Sequence, residues 1–283
     1  MTSVWTFGDV FGGTEGGRTE SDPLFGVVSG GYLGLVAGPP VVPLLERAGV
    51  TEAWVLYLAL VGTLAAVGTT TALGLSGRPE LAVRLGASRA RWLPVLFAVA
   101  YAAVGFASLG SVGVGGLLAF FFGLLAFLAG LAVAAMAQTR YAVAATAEAE
   151  ELTRWRASWP ESTQRRRLYV GGAVAGVATV GFAVGAVFDL ALLQYTGQVL
   201  FPVGFFLLST GGTRTAVATE DGLEIRLPVA RRFYAWEELE SYDLDSESLV
   251  VTRRWGTDLQ FATAEIDDVS LAEWTLAQRL ADA

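Results

Sequence analysis

Cysteine, histidine and lysine are all absent from the 283 residues. Without Cys there is no disulfide, no thiolate nucleophile and no cysteine metal site. Without His the usual proton shuttle near neutral pH and the commonest transition-metal ligand are missing, which argues against zinc hydrolysis and triad chemistry. Charge is scarce as well: 16% of residues are charged against 53% hydrophobic, a balance unusual for a water-soluble domain. No catalytic, metal-binding or cofactor motif stands out, so neither a cofactor nor an enzyme activity is expected.

What the chain has instead is apolar length. Stretches of about the ~20 residues a bilayer requires run from Leu24 to Leu45, Ala53 to Leu75, Leu93 to Ser111, Val114 to Ala137, Leu168 to Leu190 and Ala191 to Gly211. The sequence therefore predicts an α-helical membrane bundle of about six transmembrane helices over residues 24–212, with five as the alternative count. The first stretch is irregular, because Pro39, Pro40 and Pro43 cannot continue an ordinary helix and Gly30 and Gly31 weaken it. Residues 1–23 are Gly-rich and polar. Asp9, Glu15, Glu20 and Asp22 precede the first apolar run, where a cleaved signal peptide would need a basic start, so a retained flexible tail is expected.

All basic residues are Arg, and their placement predicts orientation. The segment 76–92 holds Arg78, Arg84, Arg89 and Arg91, and the segment 138–167 holds Arg140, Arg154, Arg156, Arg165, Arg166 and Arg167. The other connections between spans offer Arg47 alone. Cytoplasmic loops concentrate positive residues, so six spans put both termini in the cytoplasm of a multi-pass cell-membrane protein.

Small residues recur along the fourth span as Gly116, Ala119, Gly123, Ala126, Gly130, Ala134 and Ala137, and the fifth carries the pairs Gly172 with Gly176 and Gly181 with Gly185. Such faces let helices approach closely in lipid, within one bundle or between two copies as a homo-oligomer; the spacing serves both. Ionisable groups are nearly missing from the spans. Asp189, with Gln194, Tyr195 and Gln198, is the polar cluster nearest membrane depth and the residue set a transport path would use, but an interfacial turn explains it without function and is the favoured reading. Between the fourth and fifth spans Leu152, Trp155 and Trp159 recur at three and four residues, and Glu150 precedes Arg154 by four. That pattern predicts an amphipathic helix, lying on the membrane surface or continuing from the fourth span into solvent, and ending at Pro160.

From Thr213 the pattern changes to short alternating runs: Ala216–Thr219, Leu223–Leu227, Arg231–Trp236, Leu239–Leu244, Ser248–Arg253 and Asp258–Thr263, with a hairpin signal at Glu220-Asp221-Gly222. A helix follows Asp267 and Asp268, with Ser270 as its expected N-cap. Residues 213–283 hold seven Arg against fifteen acids, so the whole formal charge of −8 sits here. Nucleic-acid binding through a basic patch is not supported. Asp243 to Glu247 alternates acids as a calcium loop begins, but Ser248 stands where the loop needs Gly.

Two resemblances follow. The acid-rich, Lys-free composition is similar to that of proteins from salt-loving archaea, where screening lengths near ~3 Å would make an acidic surface a matter of solubility. The segment 213–283, through Thr219-Glu220-Asp221-Gly222-Leu223, Tyr234 to Tyr242 and Leu249-Val250-Val251, resembles the small pleckstrin-homology-like domains appended to prokaryotic membrane proteins. That resemblance implies a β-rich cytoplasmic domain with one terminal helix, serving as a scaffold or interaction module without activity. The functional expectation is a membrane scaffold or regulator whose partners are the lipid bilayer and a protein bound through residues 213–283. A small-solute transporter or channel and a membrane-embedded lipid-modifying enzyme are the alternatives. The latter would use Arg78 with Glu80, or Arg165 to Arg167 with Glu161.

Overall fold

The computed structural model describes residues 22–108, 114–209, 212–228 and 230–282. The expected tail up to residue 21, and the expected ends of the third and sixth spans at Ser111 and Gly211, lie outside these. The chain divides into two compact units, residues 1–149 with 228–233 and residues 150–227 with 234–283.

In the first unit, helix α1 (Pro23–Ala37) starts where Asp22 accepts a hydrogen bond from the Phe25 amide at 3.2 Å and Pro23 supplies a preset φ. It stops at Gly38-Pro39-Pro40, and the chain resumes as α2 (Val41–Arg47), where Pro43 falls in the first turn and displaces no intrahelical bond. Helices α3 (Ala53–Ser76), α4 (Pro79–Ala87), α5 (Leu93–Ala107) and α6 (Val114–Ala145) follow, with a 3-10 turn at Arg89–Trp92. Helix α4 stands where the sequence suggested an Arg-rich loop; it buries Ala82 and Gly86 and keeps Glu80 in its first turn and Arg84 in its last.

Helix α6 packs against α1, α4 and α5, and α1 packs against α3. Phe25, Tyr32, Ala98, Ala126, Val133 and Met136 form the core of this unit, and the Tyr32 hydroxyl donates to the Pro94 carbonyl at 3.0 Å. At 32 residues α6 is about 48 Å long, well beyond the ~30 Å of hydrocarbon it would cross. Helix therefore continues past Ala137, where the fourth apolar stretch ends in sequence, and carries Arg140.

The second unit holds a helical hairpin, α7 (Glu161–Val187) against α8 (Ala191–Ser209), and, residues 230–233 apart, two antiparallel sheets. One sheet has the order β1 (Glu151–Ala157), β2 (Arg214–Thr219), β3 (Gly222–Leu227), β4 (Ala230–Ala235); the other has the order β5 (Leu239–Leu244), β6 (Ser248–Arg253), β7 (Leu259–Ala262). Helix α9 (Val269–Asp282) closes the chain, and Asp268, not Ser270, caps it by accepting from the Leu271 amide at 2.9 Å. Trp155, Ile225, Tyr234, Leu249, Phe261 and Leu276 are among the core residues.

The amphipathic helix expected around Leu152, Trp155 and Trp159 is instead strand β1, paired with β2 from Glu151 opposite Thr219 to Ala157 opposite Arg214. Thr153, Trp155 and Ala157 alternate into the core, and a cross-strand partner decides what local spacing could not. The Glu150–Arg154 helical pair gives way to a bidentate pair of Arg154 with Glu151 at 2.7 and 2.8 Å, which raises the Arg154 pKa. The sheet thus extends beyond residues 213–283 and begins before the hairpin.

Across the described residues five helical stretches are long and apolar enough to cross a membrane: Pro23–Arg47, Ala53–Ser76, Arg89–Ala107, Val114–Ala145 and Glu161–Val187. The sixth expected span corresponds to the 19-residue α8.

Candidate functional site at the junction of hairpin and sheet

Strand β1 leads through Ser158-Trp159-Pro160 into α7, and the chain returns from α8 into β2 at Arg214. Extended Pro160 ends the strand and opens the helix, since its ring disfavours helical backbone in the residue before it. The guanidinium carbon of Arg214 lies 3.6 Å from the Trp159 ring centroid, and that of Arg167, from the second turn of α7, lies 3.7 Å from it. Arg214 is only 6% exposed and donates to the Gln260 carbonyl of β7 at 3.2 Å. A guanidinium sheds hydration more readily than an ammonium and stacks on aromatic faces, which suits Arg at such a half-dry position.

Hydrogen bonds complete the junction. The Ser158 amide and hydroxyl both donate to the Glu265 carboxylate at 2.7 Å, and the Ala262 amide donates to the Ser158 carbonyl at 3.0 Å. Thr163 Oγ1, in the first turn of α7, donates to Gln260 Oε1 at 2.8 Å, and Gln164 Nε2 donates to the Trp159 carbonyl at 2.7 Å. The entering segment at Ser158 and the first residue of β2, Arg214, are thereby fastened to β7 and the 3-10 turn after it.

Trp159 and Arg167 apart, the residues singled out from the sequence lie elsewhere. Gly116, Gly123 and Gly130 face Ser108, Ala102 and Pro94, so that a methyl group on Gly123 would sit 2.7 Å from the Ala102 backbone. On α7, Gly185 abuts the Gln194 backbone and Gly181 lies within ordinary contact of Leu193, whereas at Gly172 and Gly176 an added methyl would meet nothing within 4 Å. A seam missed in sequence runs along α1 and beyond its end, where Gly26, Gly30, Gly34 and Gly38 recur every four residues and approach Ala72, Gly68, Leu64 and Leu60.

Asp189 occupies the α7–α8 turn with φ 54°, a left-handed conformation that Asp tolerates. Among the described residues no hydrogen bond joins it to Gln194 or Gln198. Arg165 pairs with Glu161 at 2.6 Å on an exposed helix turn. In the β5–β6 turn Asp245 Oδ1 accepts from the Glu247 and Ser248 amides at 2.7 Å each, so its carboxylate closes a turn. Among the described residues no group of three or more acids is placed to hold a metal ion.

The junction itself left weak traces in sequence: a Trp-Pro step with three Arg at 165–167, and a lone Arg at 214 where the tail begins. In comparisons with protein-family models, curated proteins and solved structures, the chain matches none.

Proposed function

We propose that the chain is a multi-pass membrane scaffold or regulator in which a membrane hairpin is mechanically coupled to a cytoplasmic interaction domain. One observation carries the reading: α7 and α8 are inserted between β1 and β2, which are neighbours in one sheet. Any tilt or splay of the hairpin acts on two adjacent strands at once, and a protein bound to the sheets acts back on the hairpin.

The same insertion supports six spans. Residues 151–157 and 214–219 share a sheet and so lie on one side of the membrane; if α7 crosses, α8 crosses back. With the Arg-rich segments inside, both termini and the sheets are cytoplasmic. The insertion also supports the pleckstrin-homology-like reading. A 71-residue segment is short for that family, and β1 supplies a strand from before the hairpin. The Glu220–Asp221 turn then joins the second and third strands, not the opening pair. The acidic surface suits a salt-rich cytoplasm.

The test is photo-crosslinking of the full chain in native membranes at high salt, with reactive groups placed over residues 213–283, alongside flux and lipid-turnover assays on purified protein in sealed vesicles. Reproducible protein adducts at defined sites are expected. Solute flux or lipid conversion by the purified protein would overturn the reading.

A further inference from the structure

We propose that the outward face of α9 is a docking surface for a basic, amphipathic segment of another protein; this rests on reading the cytoplasmic part as an interaction module and names its surface and partner chemistry. Helix α9 buries Ala272, Thr275 and Leu276 and half-buries Val269 and Leu280. Its opposite side shows Leu271 at 44% and Trp274 at 62% exposure, one turn apart. The line continues through exposed Gln278 and Ala281. Trp is the residue type most often found anchoring an interface, and here a large apolar ring is held in water by a rigid helix.

Charge selects the occupant. Exposed Asp267 and Asp268 close one end of the face and exposed Asp282 the other, about 20 Å away at 1.5 Å per residue. Three of the seven Arg in this region are engaged elsewhere: Arg214 on Trp159, Arg226 with Glu224 at 2.7 Å, and Arg253 with the Thr257 carbonyl at 2.6 Å. Residues 267–282 carry four acids, Asp267, Asp268, Glu273 and Asp282, against Arg279 in the last turn of α9, a balance that favours a partner bearing Arg or Lys at the ends of an apolar stretch. An anionic leaflet would be repelled by the same carboxylates, and a second copy would present the same sign.

The full chain in nanodiscs of zwitterionic lipid would be titrated with a labelled amphipathic peptide carrying Leu along one helical face and Arg at both ends, followed by anisotropy. Saturable binding is expected, weakened roughly tenfold or more by Leu271→Ser with Trp274→Ser, as loss of a buried anchor does. Asp267→Asn with Asp282→Asn should also weaken it, and a peptide with Glu in place of Arg should not bind. Both apolar positions are exposed, so an unchanged thermal midpoint serves as the folding control. Equal affinity in the apolar-face variant, no binding at all, a fall in particle mass on substitution, or adsorption of the face to vesicles would each overturn the proposal. The scaffold reading has its own arm: if native-membrane adducts over 213–283 survive the Leu271/Trp274 variant, this face is wrong and the scaffold stands.

Discussion

Arg140 Nε lies 2.6 Å from Asp22 Oδ2, joining the far end of α6 to the cap of α1 across 118 positions of sequence. Asp22 is 7% exposed and also accepts from the Phe25 amide, so one carboxylate serves a helix cap and an ion pair. Asp22→Ala removes both roles and should cost roughly 1–3 kcal/mol, whereas Asp22→Asn keeps the cap acceptor and should cost less. Thermal unfolding in detergent, with Arg140→Gln to complete a double-mutant cycle, measures the coupling. Additive losses would mean that the pair contributes nothing.

The α1 seam separates two adjacent glycines. A methyl group on Gly30 would run into the Gly68 carbonyl, while one on Gly31 would meet nothing within 4 Å. Gly30→Ala should therefore destabilise the α1–α3 pair by about 1–3 kcal/mol, and Gly31→Ala should be neutral or slightly stabilising. Thermal midpoints of the two variants in one detergent decide it.

Trp159→Leu keeps an apolar side chain but removes the ring from Arg167 and Arg214, and each such contact is worth ~0.5–2 kcal/mol. The expected result is a lower midpoint and faster proteolytic cleavage near residues 158–160. Arg166→Gln, an exposed neighbour, should change neither.

Backbone amides of Glu247 and Ser248 hold the Asp245 carboxyl below its ordinary pKa, and the Ser270 hydroxyl with the Leu271 amide does the same for Asp268. A carboxyl lowered by folding adds stability that is fully present above its unfolded pKa and lost as pH falls through the folded value. Stability should therefore hold constant through neutral pH and decline only below the usual carboxylate range. Asp245→Asn should flatten that acid limb in circular-dichroism melts against pH.

Because the chain has no Cys, single cysteines report topology cleanly. Asp189→Cys, at the hairpin tip, should react with an impermeant thiol reagent in intact cells. Glu220→Cys and Ser270→Cys should react only after permeabilisation. Protection of all three would remove α7 and α8 from the count of spans.

Much of the fold was legible because it is written locally. The strands from β2 to β7 follow alternation and turn residues, and the long apolar helices follow composition and length. Strand β1 was illegible, since seven residues with Trp155 inward fit alternation as well as a helical stripe, and the partner that chooses between them lies beyond residues 158–213. The α1 glycines read as helix weakeners, because only the presence of α3 turns them into a contact surface. The junction failed for the same reason: Trp159, Arg214 and Gln260 are meaningless apart and meet only in three dimensions. On α6 and α7, small-residue spacing marked Gly123 and Gly185, which touch neighbours, no differently from Gly172 and Gly176, which do not.

Insertion of the hairpin between β1 and β2 also sets an order on biosynthesis. When β1 leaves the ribosome its neighbour has not been made, and both helices of the hairpin must follow before β2 arrives. Until then β1 lacks the strand it pairs with, and Trp155 lacks much of the core that buries it. Completion of the sheet thus waits on the hairpin, and β1 gains its neighbour only once α7 and α8 have both been made.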